Sequence, residues 1–169
     1  MSFAIFSDSS CNLPKAQLEE FQVQIISSSY EREGKLITCP PYPEDFDGHE
    51  YYNFLRNKGV VKTSLIPAAQ MEDAFRPVLA AGEDVLYITL SSGISGTVAS
   101  GLQAAQALME EFPQRQVRVL DSMGAGFGIG LLLGRASDDR KAGLNLDQTY
   151  ASLERDRDNL CEFFTVDDL

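Results

Sequence analysis

Residues 85–90, VLYITL, are almost wholly apolar, and they run straight into SSGISGT and then an Ala-rich stretch that reads as a helix from Gly96 to Phe112. A strand without polar alternation must be covered on both faces. Its passage through a Gly- and hydroxyl-rich corner into a helix marks a βα unit. The same order recurs along the chain. FAIFS (3–7) precedes the helix KAQLEEF, which has Pro14 at its first turn. QVRVLDS precedes MGAGFGIGLLLGRASDDRKAG, which reads as helical despite its glycines. Strands that alternate with helices predict an α/β domain: a mainly parallel sheet with helices on both faces, in Rossmann-like layers.

The remaining segments fit between these units. VQIISSSYEREGKLIT reads as a strand and then a hairpin around Glu33-Gly34. EDFDGHEYYNFLRN reads as a helix with Phe46, Tyr51, Phe54 and Leu55 on its inner face. VVKTS is extended, IPAAQMEDAFRPVLAAG is a helix that Pro77 should kink, and LDQTYASLERDRDNL is an amphipathic helix. CEFFTVDDL reads as a final apolar strand. No repeat, linker or low-complexity segment interrupts the pattern.

In open α/β sheets ligands bind beyond the carboxyl ends of the strands. The corners that fall there are SDSS, SSGISGT and DSMGAG, with KTS as a fourth candidate. A Gly-rich turn at a helix start offers unpaired N–H groups and the positive end of the helix dipole, to which Ser95 and Thr97 add hydroxyls. Two readings stand: these groups cap the helix, or they hold an anion or polar head group. Asp8 and Asp121 each close a strand and can order their loops by accepting backbone N–H bonds. Glycines 124, 126, 128 and 130 each cost roughly 1 kcal/mol inside a helix, so something must pass close to that backbone. It is either tight helix packing or an apolar ligand.

Named catalytic motifs are excluded by position. A P-loop needs a lysine after its glycines, but Gly96 is followed by Thr97. The nucleophile elbow fails at its last position in Gly93-Ile94-Ser95-Gly96-Thr97. The glycines of GAGFGIG are spaced by two, which breaks the dinucleotide fingerprint. The single histidine, His49, lies in a polar segment, and no histidine or lysine is placed as a base for Ser95. No metal-ligand cluster or cofactor motif is present. Cys11, Cys39 and Cys161 form no motif and read as free thiols. A net charge of −11 argues against nucleic acid and anionic membranes. The longest apolar stretch, residues 124–134, is short of the ~20 residues that span a bilayer.

Four stretches now stand together: FSDSSCNLP, VKTS, ITLSSGISGTVASGLQAA and VRVLDSMGAGFGIG. Their order and rough spacing resemble the DegV family of bacterial fatty-acid-binding proteins, which includes the acyl-carrying subunit of the fatty acid kinase system. The resemblance covers nearly the whole chain, and the pairing of SSGISGT with SDSS makes it specific. It implies a cytoplasmic, non-catalytic, two-domain carrier with one long-chain fatty acid between the domains. Hydroxyl side chains hold the carboxyl, and the acyl tail is buried in the first domain. The carrier presents the acid to a kinase partner for acyl-phosphate formation in phospholipid synthesis.

On the matching positions, the resemblance makes Thr63 and Ser95 the head-group donors. Ser91, Ser92, Gly96 and Thr97 shape the loop, and Ser9, Asp121 and Ser122 line neighbouring corners. Gly124, Gly126 and Gly128 border the acyl slot. Leu65-Ile66-Pro67 departs from the Gln-Pro that commonly follows the family's Thr-Ser. The resemblance also makes residues 1–169 the amino-terminal domain without its carboxy-terminal partner. An uncovered apolar face around Phe127, Ile129, Phe163 and Phe164 should then drive two-fold dimerisation. The rival readings are a hydrolase or phosphotransferase acting through Ser95, and a fragment without ligand binding.

Overall fold

Two strands buried at every position, flanked by two that are only partly buried, assemble into the central sheet. The computed structural model describes residues 3–163 and 165. β1 (Phe3–Asp8), β2 (Val23–Ile26), β6 (Asp84–Thr89) and β7 (Val117–Asp121) lie parallel in the order β2-β1-β6-β7. Ile5 stands opposite Leu86 on one side and Val23 on the other, and Leu86 stands opposite Arg118.

Side-chain alternation divides the core in two. Phe3, Ile5, Leu86, Ile88 and Leu120 point to one face, against α1 (Lys15–Phe21), α5 (Phe127–Lys141) and α6 (Leu146–Arg157). Ala4, Phe6, Val85, Tyr87 and Val119 point to the other, against α3 (Ala68–Ala80) and α4 (Thr97–Glu111). There Phe75 meets Phe6 edge-on, with ring centroids 4.9 Å apart, and Tyr87 at 5.5 Å. The predicted three-layer α/β arrangement is therefore present.

The helices on the two faces make β1 and β6 a switch point. β1 leads through α1 to β2 in one direction, and β6 leads through α4 to β7 in the other. The loops after β1 and β6 consequently diverge and leave a crevice between them.

Over that crevice lies a second, smaller layer that the sequence pattern did not separate from the first. β3 (Ser29–Arg32), β4 (Lys35–Thr38) and β5 (Val61–Ser64) form an antiparallel sheet in the order β4-β3-β5. The β3–β4 hairpin turns at Glu33-Gly34, as expected, with φ of 52° and 75°. α2 (Gly48–Arg56) completes the layer; Asp47 caps it by accepting from the Glu50 N–H at 2.9 Å. The helix expected over residues 44–57 is thus shorter, because the cap at Asp47 starts it anew after a single turn at Pro43–Asp45.

Two expectations near the chain end are corrected. Cys161–Phe163 form no strand; the carboxylate of Glu162 accepts from the Ala125 N–H at 2.9 Å, which lays this segment over the start of α5 instead of along a sheet edge. Phe164 and residues 166–169 of that expectation lie outside the described residues. Ile129 is fully buried in the core beside Leu132 and Leu133, whereas Phe127 is 74% exposed.

Candidate functional site

Asp8 ends β1 inside the crevice and is 2% exposed. One carboxylate oxygen accepts from the Ser10 N–H at 2.9 Å and from the Ser10 hydroxyl. The other accepts from the Thr89 hydroxyl at 2.6 Å and the Tyr87 hydroxyl at 3.2 Å. A buried carboxylate is tolerable only when its lone pairs are met in this way. Burial, and then the negative charge of Asp8, push the Tyr87 phenol well above its ordinary pKa, so Tyr87 stays a neutral donor.

The turn after β1 reaches the upper layer through Ser9. Its hydroxyl lies 2.7 Å from that of Ser28 and accepts from the Ser28 N–H at 3.1 Å. The turn after β6 folds back on itself: the Ile94 and Ser95 N–H groups both donate to the Ser91 carbonyl at 3.1 Å. This sets Ser95 at the start of α4. Its hydroxyl lies 2.8 Å from that of Thr97 and accepts from the Thr97 N–H at 3.2 Å. Two hydroxyls that share one hydrogen bond use one of their two protons. The other proton is left for an outside acceptor.

Between the two layers is a cavity of about 590 Å³, a size typical of small-molecule sites. One wall carries Asp8, Ser9, Ser95, Gly96 and Thr97. The facing wall is aromatic, with Tyr30, Phe46, Tyr51 and Tyr52. The Tyr51 ring lies 5.3 Å from Tyr30, 5.2 Å from Phe46 and 5.4 Å from Tyr52. Burial raises the phenol pKa of both Tyr30 and Tyr51, so these two rings face the cavity as neutral phenols. No lysine, arginine or histidine lines the cavity among the described residues.

Five of the nine ligand-binding candidates meet in this cavity: Ser9, Thr63, Ser95, Gly96 and Thr97. Thr63 arrives from the upper sheet, where it pairs across β5 and β3 with Tyr30. Ser92, Ser122, Gly124 and Gly126 do not line it. They belong to the neighbouring corner at the end of β7. There the Asp121 carboxylate accepts from the Ser92 N–H at 3.1 Å and the Met123 N–H at 3.0 Å. Burial alone would raise the Asp121 pKa, but the Ser92 side chain, these N–H bonds and Arg157 bring it below the ordinary carboxylate value. The buried Ser122 hydroxyl donates to the Gly124 carbonyl at 3.1 Å.

The glycine run also finds its close neighbours. A side chain at Gly124 or Gly128 would collide with the Glu162 carboxyl, and Gly126 has a φ of 53° that disfavours any other residue. A Cβ at Gly130 would stand 2.7 Å from Leu13 Cδ2. Helix packing and the Glu162 contact therefore account for these positions.

The aromatic wall was missed by the motif reading. Its signal was the density of rings between Tyr42 and Phe54 beside three prolines, which is excessive for a solvated connection.

A family model described as "Uncharacterised protein, DegV family" matches residues 2–169. A DegV domain-containing protein of Clostridium perfringens is 30% identical over 171 residues, covering 99% of this chain and 57% of that protein. One from Lactococcus lactis is 28% identical over 176 residues, covering 100% and 58%. Among solved structures, a fatty-acid-binding DegV family protein from Thermus thermophilus is 28% identical with a TM-score of 0.81, covering 94% of this chain and 54% of that one. A stearic acid-binding protein from Eubacterium ventriosum is 26% identical with a TM-score of 0.80, covering 90% and 52%. The chain thus spans little more than half the length of these relatives.

The Asp8 network yields a stability prediction. Asp8→Ala strands the buried Tyr87 and Thr89 hydroxyls, at ~1–3 kcal/mol for each unpaired donor. Urea unfolding of this variant should show a loss of roughly 2–6 kcal/mol. A loss below ~0.5 kcal/mol, the usual range of a surface change, would mean that the network does not hold the crevice.

Proposed function

Because the chain belongs to the DegV family, we propose that it binds one long-chain fatty acid in the cavity between its two layers. The observation that carries this reading is the hydroxyl pair Ser95–Thr97 at the start of α4, facing an aromatic wall across a cavity of about 590 Å³. The carboxyl group is held by Ser95 and Thr63, with the N-terminal dipole of α4 behind them. Ser9, Gly96 and Thr97 shape that end of the cavity. Ser92, Ser122, Gly124 and Gly126 act from the adjoining corner by fixing the loop after β6. The acyl tail lies along Tyr30, Phe46 and Tyr51.

The energetics favour such a ligand. Each buried methylene contributes about 0.8 kcal/mol, so the tail supplies most of the affinity, and neutral donors suffice for orientation. No histidine or lysine lines the described cavity as a base for Ser95, whose hydroxyl bonds to Thr97, and the Asp8 carboxylate there is engaged by Ser10, Tyr87 and Thr89. A carrier therefore fits this site better than a hydrolase or phosphotransferase. Both solved relatives cited above are described as binding fatty acids.

The reading extends to a two-domain, cytoplasmic carrier of which residues 1–169 form the first domain. Its partner is a kinase that transfers the γ-phosphoryl group of ATP to the bound carboxylate, giving acyl phosphate and ADP for phospholipid synthesis. No helix among the described residues is long and apolar enough to cross a membrane.

Mass spectrometry of lipid extracted from the purified chain should find one long-chain fatty acid per protein. Thr63→Val combined with Ser95→Ala should weaken retention about tenfold or more, the value of one to two lost hydrogen bonds. A chain free of lipid after purification and after incubation with oleate would reject the reading for this domain. A second expectation concerns α5, where Phe127 and Leu131, one turn apart, are 74% and 64% exposed. We propose that this stripe pairs two copies of the chain. Sedimentation at micromolar concentration should show dimers that Phe127→Ser disperses; monomers throughout would contradict it.

A further inference from the structure

Both hydrophobic cores belong to the parallel sheet and its helices. The upper layer has almost nothing equivalent. Tyr30 is the one buried residue of β3, and β4, β5 and α2 contribute none. Three strands and a helix need a packed apolar face to hold together. This layer has the apolar side chains, but they surround a cavity: Tyr51 gathers Tyr30, Phe46 and Tyr52 around its ring, and all four line the open space.

What ties the layer together and to the body is largely polar and peripheral. Arg32 pairs with Glu50 through two bonds at 2.6 and 2.7 Å and stacks on the Phe54 ring at 3.8 Å. Gln70 Nε2 donates to the Ser27 carbonyl at 2.9 Å, the Lys15 N–H donates to Glu44 at 3.0 Å, and Ser9 meets Ser28. Contacts of this kind hold little against solvent. A segment with few buried apolar contacts and exposed hydrogen bonds opens locally well before the core does.

We propose that the bound acyl chain is the missing core of this layer: β3, β4, β5 and α2 open as a unit when the cavity is empty and close as a unit on the chain that fills it, with Tyr51 at the hub of the contact. The inference rests on the acyl-binding reading above and adds to it a route of entry. The lipid passes under the opened layer, and the parallel sheet with α3 to α6 stays unchanged as the platform. Ser95 and Thr97 at α4 belong to that platform, whereas Thr63 rides on β5, so the head-group end is completed only when the layer closes.

Hydrogen exchange of the chain with and without oleate tests this, with lipid occupancy measured by mass spectrometry on the same samples. Amides of residues 29–64 should slow at least tenfold on loading, while those of β6 and α4 change less than twofold. Tyr51→Ala should remove most of the protection in residues 29–64 and leave exchange in β6 and α4 as before. Stoichiometric oleate with unchanged exchange in residues 29–64 would overturn the inference while leaving acyl binding intact. Full protection in Tyr51→Ala would overturn the assignment of its hub. A chain that takes up no oleate would overturn the acyl-binding reading and this inference with it.

Discussion

The structure turns on one buried carboxylate. Asp8 sits where β1 ends, and its oxygens collect two hydroxyl donors from β6 and two donors from its own turn. A carboxyl group in that position without partners would carry the full cost of burying unsatisfied polar atoms. With them, it locks the ends of the two strands between which the sheet reverses direction. The loops that leave those ends diverge because their helices, α1 and α4, cover opposite faces. The crevice is a consequence of that divergence, and the carboxylate fixes its floor.

Everything placed over the floor is softer. The upper layer spans the crevice through polar ties and offers aromatic rings instead of a core of its own. The two walls therefore differ in chemistry: hydroxyls and the start of a helix on one, rings on the other. A ligand with one polar end and a long apolar body matches this division, since the polar end needs orientation and the body needs burial. The described cavity lacks a cationic side chain, so the proposed head group would be oriented by neutral donors and the dipole of α4.

The legible and illegible parts of the sequence follow the same division. VLYITL and FAIFS announced a sheet buried on both faces, because unbroken apolar runs have no other stable place. The positions of Asp8 and Asp121 at strand ends mark them as loop-ordering residues, and both accept the expected N–H bonds. Glu33-Gly34 marked its hairpin. The second sheet was not separable from the first, since β4 and β5 are short and mostly exposed and carry no periodic pattern of their own. The spacing of Tyr51 and its neighbours reads as the inner face of an ordinary helix. Nothing in their spacing tells a ring that faces a core from one that faces a cavity. The glycines of residues 124–130 were ambiguous for a related reason: their close neighbours, Glu162 and Leu13, are distant in sequence. The final apolar segment misled because strand-like composition does not ensure an available partner, and Cys161–Phe163 follow the Glu162 contact instead.

The central claim is that an acyl chain occupies the space between the hydroxyl wall and the aromatic wall. Photo-crosslinking with a long-chain fatty acid carrying a diazirine at mid-chain, followed by peptide mapping, tests it most directly. Label on Tyr30, Phe46, Tyr51 or Tyr52, competed away by unlabelled oleate, is the predicted result. Label confined to the glycine turn at residues 124–128 or to the exposed face of α5 would contradict it and place the ligand elsewhere on the molecule.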